Sequence, residues 1–116
     1  MVTLIIIIKE HEARKGVMEM ALRAKKVIDA LARELNLPGE AILEEGLKSF
    51  LEKKLRSIKA EIFQIAGKYG VSSVEEMEAL YRRGVLEEEG SLDDYHRLDH
   101  LEYKKERLEE ILEELR

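Results

Sequence analysis

The chain has 116 residues, a net charge of −5, and a composition that is 45% hydrophobic and 39% charged. That length allows one domain, or one small domain with an extension. The absence of cysteine excludes disulfides and thiolate metal sites and fits a reducing compartment, and with 5% aromatic residues and no Trp the core must be built from Leu, Ile, Val and Ala.

Val2 to Ile8 is rich in β-branched residues and reads as a strand, apolar on both faces. No second convincing strand follows, so pairing with its own copy across a two-fold axis is expected; a partly disordered extension ahead of the domain is the alternative. The run Leu4 to Ile8 is far shorter than the ~20 residues that span a bilayer. It also lacks the basic flank and cleavage site of a secretion signal. A cytoplasmic protein is expected, with no membrane partner. The only amide side chains are Asn36 and Gln64, a scarcity that points to a thermophile.

Lys9 to Lys15 is charged, and Gly16 marks a turn. From Val17 to Leu35, the residues Met20, Ala24, Val27, Ile28, Leu31, Ala32 and Leu35 fall at helical spacing. Met18 to Ala24 reads two ways: Met18, Met20 and Leu22 alternate with Glu19, Ala21 and Arg23 as in a strand, whereas the propensities favour helix. Asn36 suits a left-handed position after a helix, and Pro38 ends helix at Leu37 and opens the next one.

Gly39 to Tyr69 predicts one long helix. Its apolar residues Leu47, Leu51, Leu55, Ile58, Ile62, Ile65 and Tyr69 recur at gaps of three and four, the spacing of a helix packed along its length against another. Roughly 30 helical residues span about 45 Å. A second long helix, a second copy of the chain, or both must cover that stripe. Leu31, Leu35, Ile42, Leu47, Phe50, Leu51, Leu55, Ile58 and Ile62 are the expected dimer and core positions. Gly70 is a good helix-ending residue.

Ser72 and Ser73 each have a Glu three residues on, the pattern of a capping box. They start a short helix, Val74 to Arg83, with Met77, Leu80 and Tyr81 on its buried face and Gly84 as its stop. Val85 to Gly90 is an acidic connector. Ser91, with Asp93 and Asp94 in the first turn, caps a last helix from Leu92 to near Leu115. There Leu98, Leu101, Leu108, Leu112 and Leu115 continue the three-four spacing, with Lys105 at the interrupted position. The expected fold is mainly α, with long helices in an antiparallel, coiled-coil-like arrangement and a short N-terminal strand pairing across a dimer.

Residues 1–60 carry 12 Lys/Arg and 9 Asp/Glu, a net of +3, and residues 61–116 carry 8 and 16, a net of −8. A dimerising part, 1–60, and an acidic helical part, 61–116, are expected to meet different partners. Arg23, Lys25 and Lys26 form a basic patch suited to phosphates. His96 and His100 lie four apart on the last helix, one turn after Asp93, as weak candidates for a divalent metal. No third strong ligand shares that face, so no metal is expected. There is no glycine-rich phosphate loop, nucleophile elbow or His-Glu-x-x-His. Neither catalysis nor a cofactor is expected.

Val27-Ile-Asp-Ala-Leu-Ala-Arg-Glu-Leu-Asn-Leu, a break, and Glu40-Ala-Ile-Leu-Glu-Glu-Gly-Leu-Lys-Ser-Phe-Leu-Glu resemble the two helices of ribbon-helix-helix proteins, small dimeric repressors that include many antitoxins. The resemblance covers about a quarter of the chain. It implies a strand at Met18 to Ala24, paired between two copies in the DNA major groove, with Glu19, Ala21 and Arg23 facing the bases. It also implies phosphate contacts at Pro38, Gly39 and Glu40. The layout as a whole resembles small archaeal antitoxin-type proteins, in which an acidic helical tail wraps a basic toxin. What this implies is a dimeric regulator that binds operator DNA and a basic toxin partner. The alternative is an oligomeric helical scaffold with no nucleic-acid role.

Overall fold

The structure is a computed structural model that describes residues 2–116. Four helices follow one another: α1 (Val2–Leu35), α2 (Gly39–Lys68), α3 (Val74–Arg82) and α4 (Leu92–Glu114). No strand occurs among the described residues. The mainly helical expectation therefore stands, and the N-terminal strand does not. Val2 to Ile8 forms the first turns of α1, and Gly16, expected in a turn, lies inside it. The reason is hydrogen-bond supply. A lone strand leaves its N–H and C=O groups unpaired, whereas a helix pairs them internally even where β-branched residues lower its propensity by a few tenths of a kcal/mol each. Met18 to Ala24 is likewise helical, so the ribbon implied by the ribbon-helix-helix resemblance is not formed. None of the described helices is long and apolar enough to cross a membrane.

The chain divides into two compact units, Met1–Gly46 and Leu47–Arg116. In the front unit, α1 ends as its sequence predicts. Asn36 takes φ +53°, and the Leu37 amide donates to the Ala32 carbonyl at 3.1 Å, closing the last turn. The Pro38 carbonyl accepts from the amides of Ala41 and Ile42, opening α2. A Cβ placed on Gly39 would lie 3.2 Å from Ile28 Cγ2. The two helices approach closely at that point, and glycine is what permits it. Beyond this corner the front unit buries little. No residue of α1 is buried, and Leu31, Leu35 and Leu43 stand 40%, 58% and 50% exposed.

The back unit contains the core. From Leu47 onward, α2 runs against α4 in the opposite direction: Lys68 meets Asp94, Glu61 meets Arg97, and Lys59 meets Glu109. Leucines and isoleucines of the predicted stripes fill the seam. Ile58 and Ile65 pack with Leu98 and Leu101, and Val74 and Met77 of α3 close over them. Leu51 and Leu55 form a smaller cluster with Leu112 at the far end. Met77, Leu98 and Leu101 are fully buried, each contributing about 1.5–3 kcal/mol of transfer free energy. Ile62 is partly buried against the main cluster. Leu47 and Phe50 lie largely exposed in the single chain.

Candidate functional site

Side-chain hydrogen bonds of the back unit lie at the start of α3 and where α4 meets α3 and α2. The Ser73 side chain accepts from the Glu76 amide at 3.2 Å, and the Glu76 carboxylate accepts from the Ser72 amide and hydroxyl at 2.7 and 2.9 Å. This is the expected capping box, with its return bond made to Ser72. Those two donors hold the Glu76 carboxyl below its ordinary value. α3 is thereby fixed at its start, and Gly84, at φ +71°, turns the chain at its end.

Ser91 does not cap α4 with its side chain as expected. It is buried, and its hydroxyl donates to the Glu87 carbonyl at 2.5 Å. With its one proton spent there, Ser91 accepts from the Tyr81 hydroxyl at 2.6 Å. The serine lies inward, where its buried hydroxyl is satisfied by the Glu87 carbonyl and the part-buried Tyr81 hydroxyl, and its backbone carbonyl still starts the helix by accepting from Tyr95. The Asp94 carboxylate, expected at the cap, reaches α2 instead. It accepts from the Tyr69 hydroxyl at 2.5 Å and from Lys68 at 3.4 Å. The Tyr69 hydrogen bond and the lysine hold Asp94 below its usual value, and the same carboxylate pushes Tyr69 up to about 12. Tyr95 donates to Glu78 at 2.5 Å and is pushed up to about 12 in turn. Arg97 grips Glu61 with two bonds of 2.8 and 3.0 Å, which lowers the Glu61 carboxyl and raises the arginine.

These contacts leave one concavity framed by aromatic rings. Tyr81 and Tyr95 stand edge to face, 5.6 Å apart at 82°. With Glu78, Arg82, Glu88 and Leu92 they line a notch of about 330 Å³. Sequence reading placed Tyr81 in the core and passed over Tyr95, Glu78 and Glu88. Tyr95 falls off the leucine stripe, and its pairing with Glu78 depends on how α3 folds back.

His96 and His100 are both exposed, and the His96 ring lies 5.4 Å from that of Tyr95. No group of three or more His, Asp or Glu side chains among the described residues could hold a metal ion. Arg23, Lys25 and Lys26 lie exposed on α1, and Lys25 pairs with Asp29 at 3.3 Å. The carboxylates of this region serve tyrosines, an arginine and helix ends.

Comparison with known proteins gives a family and one relative. The profile of the family described as "Uncharacterized protein MJ0235 family" matches residues 18–116. The uncharacterized protein MJ0235 of Methanocaldococcus jannaschii is 30% identical over 76 residues, which make up 66% of this chain and 93% of the relative. No solved structure matches.

Proposed function

The chain belongs to the uncharacterized protein MJ0235 family, and from that premise we propose a non-catalytic, antitoxin-like regulator of the cytoplasm. Its front unit pairs two copies, and its acidic back unit docks a basic protein partner of the toxin kind. The observation that carries the reading is α1, a helix of 34 residues with no buried residue. Thirteen of its large apolar side chains are exposed. A buried side chain worth ~1.5 kcal/mol covers roughly 60 Å² at 25 cal/mol per Å². The side chains among these thirteen that share one face of α1 can therefore make several such contributions to an interface between copies. Val17, Met20, Ala24, Val27 and Leu31 repeat at three and four along α1, the seam of a two-stranded coiled coil.

The back unit supports the second half of the reading. Residues 61–116 carry a net charge of −8 on helices already folded around their own core, so a basic partner meets an ordered acidic surface. A ribbon that reads operator DNA needs Met18 to Ala24 extended, and that segment is helical. The proposal therefore rests on protein contacts alone. The same helix favours one other reading, an oligomeric scaffold with neither nucleic acid nor toxin.

Calorimetric titration of the full-length protein with the product of the adjacent reading frame separates the two readings. A basic product that binds, and binds more weakly as salt rises, supports the regulator. A dimer that binds no such product supports the scaffold.

A further inference from the structure

We propose that the notch between α3 and α4 is a cradle for one cationic side chain, the ammonium of a lysine or the guanidinium of an arginine, presented by a protein partner. The inference deepens the docking reading above and rests on it. The walls are the rings of Tyr81 and Tyr95, set 5.6 Å apart at 82°. Both hydroxyls are tied, to Ser91 and to Glu78. The rings are therefore held in place before a guest arrives, and little ordering is left to be done on binding. An aromatic face attracts a cation through its quadrupole, most strongly where water is partly excluded.

Two carboxylates complete the site. Glu78 accepts the Tyr95 hydroxyl through Oε1, and its Oε2 has no hydrogen-bond partner among the described residues. The Glu88 side chain likewise has none among them, although its backbone carbonyl takes the Ser91 and Leu92 amides. A notch of about 330 Å³ sits at the lower end of small-ligand pockets, which suits one side-chain terminus and excludes a large ligand. The surplus of negative charge over residues 61–116 draws cations toward it. Arg82 also lines the notch and forms no ion pair among the described residues. It carries the charge of the guest, so it weakens rather than strengthens binding.

The test is NMR titration of the full-length protein with Nα-acetyl-arginine methylamide and Nα-acetyl-lysine methylamide. Nα-acetyl-norleucine methylamide serves as the neutral control. The expected result is saturable displacement of the Tyr81 and Tyr95 ring signals by the cations and not by norleucine. Glu88→Gln and Glu78→Gln together weaken the response by about tenfold, since two charge-assisted contacts become neutral ones. In Glu78→Gln the side-chain carbonyl still accepts the Tyr95 hydroxyl, so folding survives, and Glu88→Gln alone touches no internal hydrogen bond among the described residues. Arg82→Ala tightens binding about threefold by removing a like charge at the rim.

Ring signals that stay put, that move equally with norleucine, or that respond to inorganic phosphate instead overturn the cradle. So does weaker binding in Arg82→Ala. If the adjacent basic protein binds while the rings ignore small cations, the cradle is lost and docking stands. If the rings respond while no basic protein binds, docking is lost and the cradle stands.

Discussion

Replacing Leu98 by alanine tests whether the back unit is held by a single seam. Leu98 is 0% exposed and sits among Ile58, Ile65, Val74, Met77 and Leu101. The substitution removes three carbons, about 2.4 kcal/mol at ~0.8 kcal/mol each. The cavity left between three helices raises the loss to about 3–5 kcal/mol. A unit of this size has only about 4–10 kcal/mol in all, at 0.05–0.15 kcal/mol per residue, so the variant stands near its unfolding threshold at room temperature. Leu51→Ala is the internal control. Leu51 is 9% exposed in a cluster of three buried residues at the open end of the seam. There the neighbours can relax and water can enter, so about 2 kcal/mol is expected. Urea unfolding followed by circular dichroism at 222 nm reads both. A loss below about 1 kcal/mol for Leu98→Ala, or a greater loss for Leu51→Ala, would refute the description of this core.

Ser73→Ala removes the cap of α3 and should cost about 1 kcal/mol in the same unfolding assay. Ser91→Ala should cost more, because it removes a buried hydroxyl and leaves the part-buried Tyr81 hydroxyl without its partner. Equal losses would mean that the Tyr81–Ser91 hydrogen bond adds nothing to stability. Asp94 is held below the ordinary aspartate value by Tyr69 and Lys68, so its contribution is present above pH ~4 and is lost as pH falls through its lowered value. Asp94→Asn should therefore flatten the acid limb of melting temperature against pH; an unchanged limb would contradict the assignment. Tyr69 and Tyr95 are both pushed up to about 12. Absorbance at 295 nm should lose a step near that pH in each of Tyr69→Phe and Tyr95→Phe, and stability should fall between pH ~10 and ~12, where the unfolded tyrosines ionise first.

The back unit was written plainly in the sequence. Ile58, Ile65, Leu98, Leu101 and Leu112 belong to stripes spaced at three and four, and these residues are buried. Asn36 and Gly70 announced their positive φ angles, +53° and +65°. The errors arise where a local signal depends on what the rest of the chain supplies or withholds. Val2 to Ile8 has the composition of a strand, but a strand exists only with a neighbour to pair with. Ser91 and Asp94 have the spacing of a cap, but Tyr81 claims one and Tyr69 the other. The notch escaped notice because Glu78 and Tyr95 are 17 positions apart and neither belongs to an apolar stripe. In the front unit, periodicity marked Leu31 and Leu35 as apolar-face positions without saying what covers them; in one chain they are exposed.

Sedimentation equilibrium of the full-length protein bears most directly on the division between a self-associating front and a folded acidic back. A dimer, twice the 13.5 kDa of one chain, is predicted at micromolar concentration. The variant Val17→Glu, Val27→Glu, Leu31→Glu should be a monomer whose back unit unfolds at the wild-type urea midpoint. A wild-type protein that remains monomeric, or a charged-seam variant that remains a dimer, would contradict the account.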